Sequence, residues 1–409
     1  ESYPDIILED GVISYYQITR IKYSATLMSV KNETTIANAK YDELAPLYSQ
    51  FYNQSYPHDL IVKWATYNGT INPAHREWSW EGQPFGKDQT FIKRFGEVAS
   101  GDDLRMLTVV GNDIKLKFDL GPVYEKPMDT RKQFQPVPIQ RELVFDIDAD
   151  DFKTVRKCCE GKKMCNKCWK FMECAATILC FFNQVYGFQS YIFVFSGRRG
   201  MHCWICDEYA RKMTSRQRLQ ILSPFEIIKV DNENEIEIDL KNSKFSMISE
   251  IVGQICMKFF QVMDQEQNWL QGNLEQVKRV ITLINAKHKV IPITTNIQSK
   301  NTLEIMEILQ KYPEMHKYVA IYFTYPRFDI NVTKSMNHLL KMPFSVHSST
   351  KNVSTPINHI EIIKHYKLDD LIKFGKEFGM KKRFQVESPI KMWESIEEEI
   401  LYFEEVMGL

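Results

Sequence analysis

The sequence predicts an α/β (α+β) body of mixed sheets, carrying an inserted, mostly helical stretch and a small cysteine-rich knob. Three observations predict it. Two strongly apolar runs, ELVFDIDAD (142–150) and YIFVFS (191–196), end abruptly in polar residues, as strands do. Between them KFMECAATILCFFNQV (170–185) has the length and spacing of a buried helix, and from about 211 to 318 the chain turns polar, glycine-poor and helical in period. The expected organisation is an α/β core of 1–210 and 318–409, with the cysteine motif at 156–170, and a helical subdomain at 211–317.

Taken in order, YDELAPLYSQFYNQ (41–54) has helical apolar spacing, and FIKRF, MLTVV and IKLKF read as short strands. The last two flank Gly111-Asn112-Asp113, a plausible hairpin. A proline-spaced linker (134–141) leads into ELVFDIDAD, and YIFVFS is followed by a Gly-Arg-Arg-Gly turn. Helical periodicity recurs at 247–264 and 303–311. YVAIYFTYPRFDI (318–330) then reads as a strand, TKSMNHLLK as a helix, MPFSVHSST as a turn, and WESIEEEILYFEEVM as an acidic amphipathic helix.

Composition narrows the classes. The chain has 409 residues, 44% hydrophobic and 25% charged, which suits a folded protein with a sizeable core. Fifty-two basic residues balance 52 acidic ones, so any nucleic-acid site must be a local patch. No apolar run reaches 18 residues, which argues against a transmembrane helix and a membrane partner; the first residues lack the pattern of a signal peptide. The nine cysteines are odd in number and eight fall within 49 residues, so metal ligation in a reducing compartment explains them better than disulfides. Sequons such as those at Asn32 and Asn53 then carry no meaning.

Asp146 and Asp148 in FDID fall at i and i+2 of a strand and therefore point to one side. Paired hard oxygen ligands there suit Mg²⁺ or Mn²⁺; the plain alternative is an acidic turn continued by Asp150 and Asp151. Asp329 also ends an apolar run and is either the third acid of a two-metal phosphoryl-transfer site or an ordinary strand-end aspartate. Ser196, Arg198, Arg199 and His202 in SGRRGMHCW follow a strand through a glycine turn. That constellation suits phosphate binding although the chain has no Walker A motif; Lys341 and His347 could add charge. Cys158, Cys159, Cys165 and Cys168, spaced CC-x5-C-x2-C, suit a structural zinc, whereas Cys203 and Cys206 read as buried structural cysteines. Seven basic residues against one acid between 153 and 170 make phosphate-backbone contact one reading and a solvated knob the other.

Together these segments resemble the small, catalytic subunits of archaeal–eukaryotic replicative primases, most closely the eukaryotic ones. The resemblance rests on HREWSW (75–80), KFDLGPVY (117–124), ELVFDIDADD (142–151), CC-x5-CxxCW (158–169), FSGRRGMHCWICDE (195–208) and YPRFDINVTKSMNHLLKMPFSVH (325–347), in that order, and 211–318 carries little of it. It implies a DNA-directed RNA polymerase making short RNA primers on single-stranded DNA from ribonucleoside triphosphates. Asp146, Asp148 and Asp329 would hold two Mg²⁺ or Mn²⁺ ions, and the four cysteines would hold Zn²⁺. Ser196, Arg198, Arg199, His202, Lys341 and His347 would grip the triphosphate, Asp119 would read the ribose hydroxyl, His338 would lie in the nucleotide pocket, and Arg76 and Glu77 would help build the site. Where relatives often have Y-I-R this chain has Phe91-Ile92-Lys93-Arg94, so either Lys93 or Arg94 takes that place. The implied partners are a large iron–sulfur primase subunit and the catalytic and accessory subunits of DNA polymerase α, and the implied location is the nucleus. A metal-dependent nuclease and a non-catalytic, zinc-containing nucleic-acid-binding subunit are the rival readings.

Overall fold

A computed structural model describes residues 6–8, 11–13, 41–109, 113–133, 135–161, 163–230, 236–238, 246–357, 391 and 395–409. Asn32, Gly111, Asn112, Lys162 and Glu394, all within features noted above, lie outside the described residues.

The chain begins with a small pair, β1 (Ile6–Leu8) and β2 (Gly11–Ile13), then α1 (Tyr41–Gln50), prolonged by a π turn (Phe51–Ser55), and α2 (His58–Ala65). β3 (Arg76–Pro84), β4 (Phe91–Gly96), α3 (Gly101–Val109), β5 (Asp113–Tyr124) and β6 (Pro138–Gln140) follow. Next come β7 (Leu143–Asp148), α4 (Asn166–Tyr186), β8 (Tyr191–Phe195), β9 (Gly200–Ile205) and α5 (Ser215–Leu222). The helical stretch contains a strand pair, β10 (Ile228–Val230) and β11 (Ile236–Ile238), then α6 (Ser246–Gln267), α7 (Leu274–His288), α8 (Thr302–Lys311) and α9 (Pro313–Thr324). The chain ends with α10 (Ile330–Lys334), β12 (Leu340–Lys341), β13 (Pro356–Ile357) and α11 (Glu397–Met407).

Two sheets carry the site. One has the order β13-β8-β9-β7, the other β12-β5-β3-β4 with β6 also on β5. In both, every described pairing is antiparallel, which corrects the expectation of mixed sheets. The reason is local. Helix α4 returns the chain so that β8 runs in the direction of β7, but the Ser196–Gly200 turn sends β9 back into the gap between them.

Period-two alternation divides the first sheet's faces. Leu143, Phe145, Ile147, Phe193, Met201, Cys203 and Ile205 join α4 and the helices of 246–324 in one core. Val144, Ile192, Val194, Trp204 and Cys206 pack on the other side with Trp64 of α2, Phe403 of α11 and the second sheet's Leu116, Phe118 and Leu120.

Two strand expectations fail. MLTVV lies in α3 as far as Val109, so the hairpin with IKLKF is not formed. Ser100 accepts from the Asp103 amide at 3.1 Å and acids fill the first turn, both of which favour a helix start. Leu104 is buried and Met106 is 58% exposed, a helical rather than a strand-like alternation. Likewise YVAIYFTYPRFDI is not a strand: α9 starts on Pro313 and buries Tyr318, Val319, Ala320, Ile321 and Phe323 nearly all round, which removes the amphipathic signature. The predicted TKSMNHLLK helix shrinks to α10, and Leu340–Lys341 instead pairs with β5. The helices expected near 41–54, 170–185, 247–264, 303–311 and 393–407 are present, as are the strands at 142–148 and 191–195. Among the described residues no helix is long and apolar enough to cross a membrane.

Candidate active site

Asp146 and Asp148 stand on the β7 face shared with Val144, towards the second sheet. His202 lies directly across β9 from Asp146, with Nε2 3.6 Å from Asp146 Oδ1. Asp148 faces Gly200, where a Cβ would come within 2.1 Å of the Ile147 carbonyl, so only glycine lets β9 approach here. Asp148 Oδ1 also accepts from the Asp150 amide at 2.8 Å, capping a 3₁₀ turn. Asp329 arrives as a helix cap rather than as a strand end. Its Oδ1 accepts from the amides of Asn331 (2.9 Å) and Val332 (3.3 Å) at the start of α10. Its own N–H donates to the Asp146 carbonyl at 3.3 Å, which brings the third acid to the first across 183 residues of chain.

Burial first, then the charges of Asp148, Asp329 and Asp151, push the Asp146 carboxyl up to about 7, opposed by Lys341. Asp151 rises to about 6 through burial and the Asp148 charge. Two carboxyls raised by burial and by neighbouring acids mark a crowded carboxylate cluster, and hard oxygen ligands of this kind fit Mg²⁺ or Mn²⁺.

The cations gather opposite. Ser196 and Gly200 close a tight turn, with the Ser196 amide donating to the Gly200 carbonyl (2.9 Å) and the Gly200 amide to Ser196 Oγ (3.1 Å). Gly197 at its start has φ +85° and lies against His347, where a Cβ would come within 2.8 Å. Arg198 keeps a buried Nε without a hydrogen-bond partner. Arg199 is committed to the acids: Nε is 2.5 Å from Asp148 Oδ1 and Nη2 3.4 Å from Asp150. Lys341 donates to the Ser196 carbonyl at 2.6 Å, and burial, aided by the Lys117 charge, brings its pKa down to about 7. Burial and the Lys341 charge hold His202 and His347 near 3, so both imidazoles are neutral. Burial also lowers His338, which feels Arg141 on one side and Asp329 and Asp119 on the other.

Asp119 sits opposite Lys341 in the β5–β12 pairing, and Lys117 Nζ is 2.9 Å from Asp119 Oδ2. Lys117 also contributes positive charge at Lys341 and His347. It is absent from the residues singled out by sequence, although the K-x-D spacing of KFDLG, with both side chains on one face of a strand, could have found it.

Arg76 and Glu77 are drawn into the protein. Arg76 pairs with Glu142 at 2.6 Å, both side chains wholly buried, and Tyr67 bridges them. Glu77 accepts from Arg94 (2.6 and 3.0 Å) and from Tyr124 (2.9 Å), and its carboxylate lies over Gly121, two residues beyond Asp119. Both cations in Phe91-Ile92-Lys93-Arg94 are exposed, and it is Arg94 that makes an ion pair, with the buried Glu77 carboxylate.

The sulfur atoms of Cys158, Cys159, Cys165 and Cys168 lie within 4.8 Å of one another, and four thiols so placed fit a tetrahedral zinc-type ion. Gln267, at the end of α6, fastens this loop. Its Oε1 accepts from the Lys157 and Cys158 amides (2.8 and 3.2 Å), and its Nε2 donates to Cys158 Sγ at 3.2 Å. A cavity of about 830 Å³ opens beside the cluster, lined in part by Lys157, Lys167 and Gln267. The basic run is less uniform than its sequence: Arg156 is buried on the Gly161 and Lys163 carbonyls, and Lys170 pairs with Glu173. Lys153, Lys157, Lys163 and Lys167 remain exposed. Cys203 and Cys206 are buried.

Comparison with known proteins gives the family of the whole chain. A family model described as DNA primase small subunit matches residues 145–359, just over half of the chain. The chain is 29% identical over 332 residues to the DNA primase small subunit of Saccharomyces cerevisiae, covering 75% of this chain and 80% of that protein. It is 29% identical over 364 residues to the Drosophila melanogaster DNA primase small subunit, covering 82% and 81%. To the small subunit of Thermococcus sibiricus it is 26% identical over 266 residues, covering 63% and 73%. The matched segment begins one residue before Asp146 and runs past Asp329, His338, Lys341 and His347, and the chain belongs to the DNA primase small subunit family.

Proposed function

We propose that this chain synthesises short RNA primers on a single-stranded DNA template from ribonucleoside triphosphates, releasing pyrophosphate. The observation that carries the reading is the hydrogen bond from the Asp329 amide to the Asp146 carbonyl, which gathers three acids at one point beside the Arg198, Lys341 and Lys117 charges. When bound to those acids, two Mg²⁺ or Mn²⁺ ions would supply the polarisation of a 3′-hydroxyl and the neutralisation of a triphosphate.

The remaining roles fall to side chains. Arg198, with its unpartnered buried donor, and Lys341 would receive the phosphate oxygens, and the Ser196 hydroxyl and neutral His202 and His347 would add or accept single hydrogen bonds. Arg199 would hold Asp148 and reach phosphate only by leaving that pair. Asp119, tied to Lys117, would accept from a ribose hydroxyl, with His338 nearby. Arg76, Glu77 and Arg94 support this wall from within, and Lys93 remains outside it. Helices of 211–317 act as a supporting subdomain. The zinc-bearing knob would present its exposed lysines to the template.

A cluster of cations facing the acids favours a triphosphate substrate over the hydrolysis of a nuclease. The partners that follow are a large iron–sulfur primase subunit and the catalytic and accessory subunits of DNA polymerase α, in the nucleus. Primer synthesis on a pyrimidine-rich single strand with labelled ATP or GTP and Mn²⁺, beside Asp146→Ala and Asp329→Ala, tests the proposal. Short RNA products lost in both variants are expected. A chain without product even when the large subunit is supplied, or variants that retain activity, would overturn it.

A further inference from the structure

Helix α10 has only five residues, yet it positions Asp329. Such a helix has too few internal bonds to set its own place, so its two ends must be held from outside. The N-terminal end is tied to β7 through the Asp329 amide. The other end is tied by two arginines. Arg141, two residues before β7 and 2% exposed, donates through Nη1 to the carbonyls of Val332 and Ser335, both at 2.8 Å. Arg218, on α5 and fully buried, donates through Nη1 to the carbonyls of Thr333 (3.3 Å) and Glu142 (3.2 Å), and through Nη2 to that of Arg141.

Two guanidiniums side by side in a protein interior are costly. Burial pulls both pKa values down, Arg141 to about 9 with the Arg218 charge adding to it, and Arg218 to about 10. The nearby carboxylate of Glu142 is already paired with Arg76. The arginines are therefore offset mainly by main-chain carbonyls: those of Val332, Thr333 and Ser335 at the end of α10, where positive charge is also favoured, and, for Arg218, also those of Met213, Arg141 and Glu142. Their targets span Val332 to Ser335, so both rotation and sliding of α10 along β7 would break bonds.

We propose that Arg141 and Arg218 form a clamp that sets the distance of Asp329 from Asp146, making both arginines positioning residues for the cation site. The inference rests on the acid-site reading given above. It also gives 211–317 a part in the site, because Arg218 belongs to that stretch.

The test is Mn²⁺ binding by electron paramagnetic resonance on the full chain, well below its melting transition. Arg218→Met, Arg141→Lys and Asp329→Ala are compared with the unaltered protein, and melting is recorded separately. The clamp predicts that Arg141→Lys and Arg218→Met each weaken Mn²⁺ binding about tenfold in the folded protein, the usual scale for groups that orient a ligand. Arg218→Lys should recover part of the loss. A purely structural role lowers the melting temperature without changing Mn²⁺ affinity, and that result would overturn the clamp. Should Arg218→Met not fold, Arg141→Lys decides alone. Loss of binding in Asp329→Ala with none in the folded arginine variants refutes the clamp only. Unchanged binding in Asp329→Ala refutes the acid site and the clamp with it.

Discussion

Metal binding to the three acids should be tied to proton release, and the structure sets its size. Without a cation the Asp146 carboxyl lies near 7 against an ordinary 3.8, because it is buried and surrounded by Asp148, Asp329 and Asp151. Raising the carboxyl from 3.8 to about 7 corresponds to at most ~4 kcal/mol of unfavourable ionisation, an upper bound because the side chain keeps 31% of its exposure. Below pH 7 a divalent cation must therefore displace a proton from Asp146. Mn²⁺ affinity is expected to rise about tenfold per pH unit from 5.5 to 7, roughly 30-fold in all, and to flatten above. Lys341, brought down to about 7, loses its charge in the same window and steepens the rise; Lys341→Met should restore a slope near one. Stability follows the same sign. A raised folded pKa stabilises the metal-free protein fully below about 3.8, and that contribution is lost as pH rises through about 7, so saturating Mn²⁺ should raise the melting temperature more at pH 8 than at pH 5.5. Calorimetric titration in two buffers of different ionisation enthalpy measures the protons directly. A pH-independent affinity, or no proton released at pH 6, would refute the argument.

Two further outcomes follow from the ion pairs and the cysteine loop. Arg76→Met leaves the buried Glu142 carboxylate without its partner and should cost about 3–5 kcal/mol in urea unfolding, while the KM for nucleotide in the folded enzyme stays within about twofold; a large KM change with little loss of stability would show instead that Arg76 meets substrate. Gln267→Ala removes the donor to Cys158 Sγ and should speed zinc release to a chelator about tenfold, and an unchanged release rate would show that the four cysteines hold the ion without it.

Much of this site is legible in the sequence because its chemistry is periodic. Two aspartates at i and i+2 after an apolar run can only share a face, and a strand–glycine-turn–strand carrying two arginines must place them at a hairpin tip. The CC-x5-C-x2-C spacing is legible for the same reason, since α4 begins at Asn166 and brings Cys168 back over Cys165. Asp329 is found by sequence for a reason that its surroundings do not share. It was expected at the end of a strand and instead caps a helix, but aspartate after an apolar run fits both settings, so the residue is recognised while its element is not.

The arginines at the other end of α10 show where such reading stops. Arginine is rarely buried without a carboxylate partner, so its occurrence in PIQRELVF or SRQRLQIL reads as surface. What fixes Arg141 inside is a pair of main-chain carbonyls 191 and 194 residues away, and Arg218 joins one 115 residues away to others 5 to 77 residues away; carbonyls leave no trace in a sequence. The same holds for Gln267, whose partners lie about 110 residues earlier. Side chains that meet the cation or the phosphate are identified by their own chemistry, whereas those that hold them in place act through backbone and become visible only once the chain is folded. The helical stretch that carries little family resemblance thus supplies Arg218 to one candidate metal centre and Gln267 to the other, and variation there should be tolerated except at residues whose side chains hydrogen-bond the backbone of a ligand-bearing segment.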